Sequence, residues 1–175
     1  TLSPIGLANQ YRIIFICVSR HVGLALAKSA ISVEKKVAFA FGCETTSDIR
    51  LHYFAASEYS INRRTGGIFK VDNSVGNKVE IMITDVESYL IAMRYMLAFN
   101  DEKEIITYWD EPTITMDYDT HELHEKINEN WRENQISKMV LSCATLPFEE
   151  EIAETIMDFK AKFENAEVHS IKSYD

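Results

Sequence analysis

Residues 105–112 read Ile-Ile-Thr-Tyr-Trp-Asp-Glu-Pro, and the reading of this stretch decides the fold. The run from Ile105 to Trp109 has strand character without the alternation of a half-solvated strand. A run of that kind is covered on both faces, as the strands of a parallel sheet are. Pro112 stops it, because proline has no N–H to give to a ladder. Asp110 and Glu111 therefore fall at the carboxyl end of the strand, where open α/β sheets hold their ligands. The plain alternative is a strand that ends in a solvated acidic turn.

Outward from this stretch the chain keeps one rhythm. Residues 12–18 (Arg-Ile-Ile-Phe-Ile-Cys-Val), 36–41, 78–84 and 138–142 are further short apolar runs that read as strands. Helical spacing fills the gaps. A small-residue helix is expected over 21–31 with Ser19 before it. Another is expected over 46–57, capped by Thr46 or Ser47, with Leu51, Phe54 and Ala55 inward. A third runs from a capping box of Thr84 and Glu87 to about residue 99, with Val86, Leu90, Met93 and Leu97 on one side. A fourth covers 120–134 through Leu123, Ile127 and Trp131. A fifth opens at Pro147, with Glu149, Glu150 and Glu151 at its positive end and Ile152, Ile156, Phe159 and Phe163 inward. A short helix over 1–10 and a final strand over 167–171 complete the pattern. Such alternation predicts an α/β fold: a mostly parallel sheet with helices on both faces, joined by right-handed crossovers.

The main irregular segment is 59–77, with dense turn chemistry and a short hairpin expected around 68–71. Arg63, Arg64 and Lys70 make it the most basic part of an acidic chain. It reads either as a loop that touches a nucleic-acid strand or as a solvated surface loop. His121 and His124 stand three apart, whereas the zincin pattern needs four with a Glu after the first. The pair reads as a solvent-facing helix start.

The totals bound the rest. The chain has 175 residues, which suits one domain, and 46% hydrophobic with 26% charged residues is a globular composition. No apolar run approaches a membrane span, and no membrane partner is expected. Cys17, Cys43 and Cys143 are odd in number and far apart, which argues against a disulfide framework and a zinc site. With no Asn-x-Ser/Thr acceptor in the sequence, an intracellular location is expected. The net charge of −9 speaks against a broad non-specific grip on nucleic acid but leaves room for a local basic strip.

One helix after the acids comes a second telling segment, residues 139–147, Met-Val-Leu-Ser-Cys-Ala-Thr-Leu-Pro. Asp110-Glu111 and Cys143-Ala144-Thr145 together resemble the "DE" motif II and "SAT" motif III of the first RecA-like domain of superfamily 2 (DEAD-like) helicases. Ser19-Arg20 resembles motif Ia, Gly42-Cys43 holds half of the family's Gly-Gly pair, and Thr84 resembles the start of motif Ib. The wording Trp-Asp-Glu-Pro-Thr-Ile is similar to helicase-like proteins of large DNA viruses. Two positions depart from the family. Cys143 stands where Ser is usual, and Asp85 stands where neutral residues are usual.

The resemblance implies a RecA-like, P-loop NTPase type of sheet over 1–175, acting as a helicase ATPase domain inside the cell, in cytoplasm or viral factory. It implies ATP and Mg²⁺ as cofactors. Asp110 would hold the Mg²⁺, Glu111 would orient the attacking water, and Thr1, Ala144 and Thr145 would serve the nucleotide. Ser19, Arg20, Gly42 and Thr84, with Arg63 and Arg64 of the basic loop, would meet single-stranded or duplex nucleic acid. The remaining partner would be a second RecA-like lobe of the same parent chain. Two other readings stand beside this one. The chain is a degenerate RecA-like scaffold without activity, or an ABC-type ATPase fragment in which 110–117 resembles Walker B and D-loop.

No Gly-rich phosphate loop occurs in the sequence; Thr1 would close one if a Gly-Lys preceded it. The expectation is a domain lacking motif I upstream and the second lobe downstream, with its arginine fingers. The isolated chain should therefore show no measurable ATPase in a steady-state phosphate-release assay. Turnover that Glu111→Gln abolishes would contradict this.

Overall fold

The structure, a computed structural model, describes residues 2–113 and 120–172. The chain forms two compact units, Thr1–Cys143 and Ala144–Asp175. The first unit holds a six-stranded sheet. Its strands are β1 (Arg12–Ile16), β2 (Val37–Ala40), β3 (Arg50–Leu51), β6 (Ile81–Thr84), β7 (Ile105–Asp110) and β8 (Met139–Ser142), in the order β3-β2-β6-β1-β7-β8. Every neighbouring pair is parallel except β2 with the short β3. A separate antiparallel hairpin joins β4 (Tyr59–Ile61) and β5 (Ile68–Val71).

The pleat sends successive side chains of each strand to opposite faces, so the unbroken apolar runs feed two cores. Ile13, Phe15, Cys17, Ile81 and Ile83 meet Leu26, Ala27 and Ala30 of α2 (Arg20–Ser32), with α1 (Ser3–Leu7) alongside. Ile14, Ile16, Met82 and Trp109 meet Tyr89, Leu90, Met93 and Met96 of α3 (Tyr89–Leu97). Ile127 of α4 (Leu123–Glu133) packs against that second core. α2 carries the chain from β1 toward one edge, and α3 and α4 carry it toward the other. Right-handed crossovers in opposite directions lie on opposite faces, which is the division of the cores.

Several local expectations are overturned, each by a distant contact. Residues 46–57 form no α-helix; two 3₁₀ turns, Thr46–Asp48 and Tyr53–Ala55, flank β3 instead. The Asp48 carboxylate accepts from the N–H groups of Glu44 and Thr45 and closes the first turn. The Asn73 side-chain amide then donates to the carbonyls of Ser47 and Ile49, which a helix would have used itself. Leu51 and Ala55 are buried as expected, but Phe54 is exposed. Helix α3 starts at Tyr89 rather than after Thr84, and the Thr84–Glu87 capping box does not form. The Asp85 carboxylate accepts from Ser88 N–H and also from Gly42 N–H across the sheet, which holds 85–88 as a turn. Helix α4 begins at Leu123, where the His121 ring accepts from the Leu123 N–H, and His121 and His124 are both half-buried. The hairpin expected near 68–71 is present.

In the second unit, α5 (Ala153–Lys162) starts six residues beyond Pro147. Phe148 N–H donates to the Glu151 carboxylate and Glu151 N–H to the Phe148 carbonyl, so 148–151 is a closed turn before the helix. No strand forms over 167–171. Ser170 instead donates its hydroxyl proton to Glu149, and Lys172 lies 4.3 Å above the Phe148 ring.

Gly23 sets how closely α2 approaches the sheet. A Cβ there would lie 2.8 Å from Ile83 Cγ2 and 2.9 Å from Cys17 Sγ. Overpacking of that kind costs about 1–3 kcal/mol, against roughly 1 kcal/mol gained from replacing Gly in a helix. Gly23→Ala should therefore lose stability in urea denaturation. Gly6→Ala, with nothing within 4 Å of the added methyl, should be neutral or gain stability.

Candidate functional site at the carboxyl rim of the sheet

Because β2, β6, β1, β7 and β8 run parallel, their carboxyl ends share one rim. In spatial order the rim carries Gly42, then Thr84-Asp85, then Ser19-Arg20, then Asp110-Glu111, then Ser142-Cys143. The connection after β1 leaves toward β2, and the connection after β7 leaves the opposite way toward β8. Adjacent strands whose connections diverge open a crevice between their carboxyl ends, the usual ligand position in open α/β sheets. Asp110 and Glu111 lie at the end of β7, at that switch point.

Asp110 is the last residue of β7 and pairs in register with Ser142 of β8. Its carboxylate is half-buried, and no described residue hydrogen-bonds to it. Burial, then the neighbouring Glu111 carboxylate, raises its pKa above the ordinary 3.8. Glu111 continues the ladder by one bond, its N–H donating to the Ser142 carbonyl at 2.7 Å. Its φ of +52° lies in the left-handed region, uncommon for a residue with a long side chain. That conformation turns the chain at the end of β7. Pro112 is buried behind it. Thr113 Oγ1 and Cys143 Sγ are 3.0 Å apart, so the loop after the acids and the end of β8 touch directly. The Thr113 contact is a member of the site that the sequence did not single out; its only signal was position, two residues after Glu111.

The other half of the rim is built differently. Ser19 caps α2, accepting from His21 N–H at 3.3 Å, and Arg20 is exposed with its guanidinium 5.5 Å from the centre of the Phe41 ring. Gly42 has φ +59° and would place a Cβ 3.4 Å from Arg20 Nη2. Ser19, Arg20 and Gly42 thus lie close together at this part of the rim. Thr84 is not available beside them: it is fully buried and its hydroxyl donates to the Asp85 carbonyl. The residue facing outward there is Asp85, an anion committed to two backbone N–H groups. Cys17, between the two halves, is held as a neutral thiol. Burial pushes its pKa up to about 11, with Asp85 and Asp110 adding to the effect, and Sγ–H donates to the Thr84 carbonyl.

Arg63 and Arg64 lie on the turn of the β4–β5 hairpin, in a different sheet from the rim strands. Ala144 and Thr145 open the second compact unit as an exposed turn. Thr1, and the 114–117 part of the stretch compared with Walker B and D-loop, lie outside the described residues. Among the described residues, no group of three or more His, Cys, Asp or Glu side chains could hold a metal ion, His121 and His124 included. Protein-bound Mg²⁺ is commonly held by one or two carboxylates together with phosphate oxygens and water.

The raised Asp110 pKa has a consequence for stability. The folded chain holds this proton more tightly than the unfolded chain, so ionising Asp110 costs the folded state. The cost is absent below pH 3.8, grows as pH rises through the raised folded value, and is complete above it. Asp110→Asn should therefore raise Tm at pH 7, and the difference from the wild type should vanish as pH falls below 4. Thermal melts followed by circular dichroism across that range check it.

No family model matches this chain, and no curated protein matches it in sequence.

Proposed function

We propose that this chain is the ATP-binding, RecA-like lobe of a nucleic-acid helicase or translocase of the superfamily 2 kind. The single observation that carries the reading is the register of Asp110 with Ser142 on adjacent parallel strands, which sets the acid pair and the Cys143 end side by side on the rim. The ordered resemblance of motifs Ia to III along the sequence supports it.

The residues present suit a divalent cation. Asp110 is a half-buried carboxylate to which no described residue hydrogen-bonds, next to a second carboxylate, and a cation would relieve both its desolvation and the like-charge repulsion. When bound with a nucleotide, Mg²⁺ would neutralise charge on the β- and γ-phosphate oxygens. In this reading Asp110 holds the ion, directly or through water. Glu111 would accept a hydrogen bond from the water that attacks the γ-phosphorus and so fix its approach. Cys143, in contact with Thr113, links the loop after the acids to the chain that continues into Ala144 and Thr145. Ser19, Arg20 and Gly42 offer a hydroxyl, a cation and a bare backbone to a phosphodiester chain. Phosphate contacts of this type fix position rather than sequence.

The metal half of the reading is tested with Mn²⁺ as a paramagnetic substitute, titrated against the chain and ATPγS by electron paramagnetic resonance. Loss of a metal ligand should weaken ion binding by at least the 10–100-fold typical of a disturbed metal shell, so Asp110→Asn should lose about that much. Glu111→Gln should keep the ion. Equal binding by wild type and Asp110→Asn would overturn the assignment.

A further inference from the structure

Of the β4–β5 hairpin, Val71 at the end of β5 packs against a core of the first unit, and the rest of the two strands lies outside it. Every residue of β4 and all but the last of β5 are exposed, yet the strands carry Tyr59, Ile61, Ile68 and Phe69. Its charge also opposes that of the chain. Between Glu58 and Asp72, which bracket the hairpin, there are three cations, Arg63, Arg64 and Lys70, and no acid, in a protein of net charge −9. Asp72 is committed to the turn beyond β5, where it accepts from the N–H and hydroxyl of Ser74.

The strand pairing aims one ring outward. Ser60 faces Lys70 and Ile61 faces Ile68, so Phe69 is the extra residue of a β-bulge. Bulges re-aim side chains and break the regular ladder. Here the effect is a phenyl ring 76% exposed. Phe69 and Lys70 also line an open cleft of about 440 Å³, whose far wall is residues 47–51. The acid on that wall, Asp48, is tied to the backbone of its own turn.

We propose that this ribbon is a docking surface for single-stranded nucleic acid, with a base stacked on Phe69 and phosphates on Arg63, Arg64 and Lys70. It rests on the nucleic-acid part of the function proposed above and adds a site away from the rim. A free aromatic face beside a run of cations is what sequence-tolerant single-strand binding uses, because every base has a π-face and every linkage a charge. Ribbon-to-ribbon association of two copies fits worse. It would set like charges against each other, and the strands are short and interrupted by the bulge, which blunts edge pairing.

The test is fluorescence anisotropy with labelled oligothymidylate and oligouridylate, measured against salt. Phe69→Ala should weaken binding of both about tenfold, the loss of one stacked base, with the salt dependence unchanged. Replacing Arg63, Arg64 and Lys70 together by Gln should lower the slope of log K against log salt by about 2, the release of three counterions at roughly 0.7 each. All four side chains are exposed, so the fold should be kept, which a thermal melt verifies. Binding that Arg20→Gln weakens and the ribbon variants leave unchanged overturns the ribbon site while sparing the helicase reading. A wild type that binds neither oligonucleotide at low salt overturns both. A wild-type dimer in sedimentation that Phe69→Ala dissolves makes the ribbon a self-association surface and overturns the proposal.

Discussion

The structure depends on β7 being hydrogen-bonded along both edges and covered on both faces. It sits between β1 and β8, and its side chains alternate between the two cores: Ile105 and Trp109 to one, Ile106 and Tyr108 to the other. Burying a large apolar side chain contributes about 1.5–3 kcal/mol, so a one-residue slip of this strand would exchange the contents of both cores at once. The register is therefore held, and with it the position of Asp110 opposite Ser142. The acids owe their place beside the end of β8 to the packing of the five residues before them.

Thr107 is the exception inside that apolar run, and a polar network accounts for it. Its hydroxyl is 2.9 Å from Tyr89 Oη, and the Tyr89 hydroxyl donates to Asn134 Oδ1. Asn134 then accepts from Ile136 N–H and donates to the Ile136 carbonyl. Burial raises the Tyr89 pKa, so the phenol stays neutral and able to donate. A buried network is stable only when every member is satisfied; this one ties α3, β7 and the approach to β8 together beneath the acid pair. It steadies the strand that carries the candidate chemistry without taking part in that chemistry.

The two halves of the rim differ in what their carboxylates do. Asp85 is used by the fold: it joins the end of β2 to the turn after β6 through Gly42 and Ser88. Asp110 accepts no hydrogen bond from a described residue, and burial with the neighbouring Glu111 carboxylate raises its pKa. A carboxylate kept in that condition is the kind of group that marks a binding site, whereas one with two backbone donors is explained by structure.

Much was legible in the sequence because it is local. Consecutive apolar residues over five to seven positions specify a strand covered on both faces, and their alternation with helical spacing specifies the layered sheet. The acids after Trp109, the Ser19 cap and the hairpin were readable in the same way. Two failures depended on partners far along the chain: Asn73 taking the carbonyls that a helix over 46–57 required, and Asp85 reaching Gly42 instead of leaving Thr84 to start a helix. Strand order is equally non-local. That β7 lies between β1 and β8, and so sets Asp110 and Glu111 beside Ser142 and Thr113 beside Cys143, follows from crossover direction and two-sided burial, which tertiary structure alone decides.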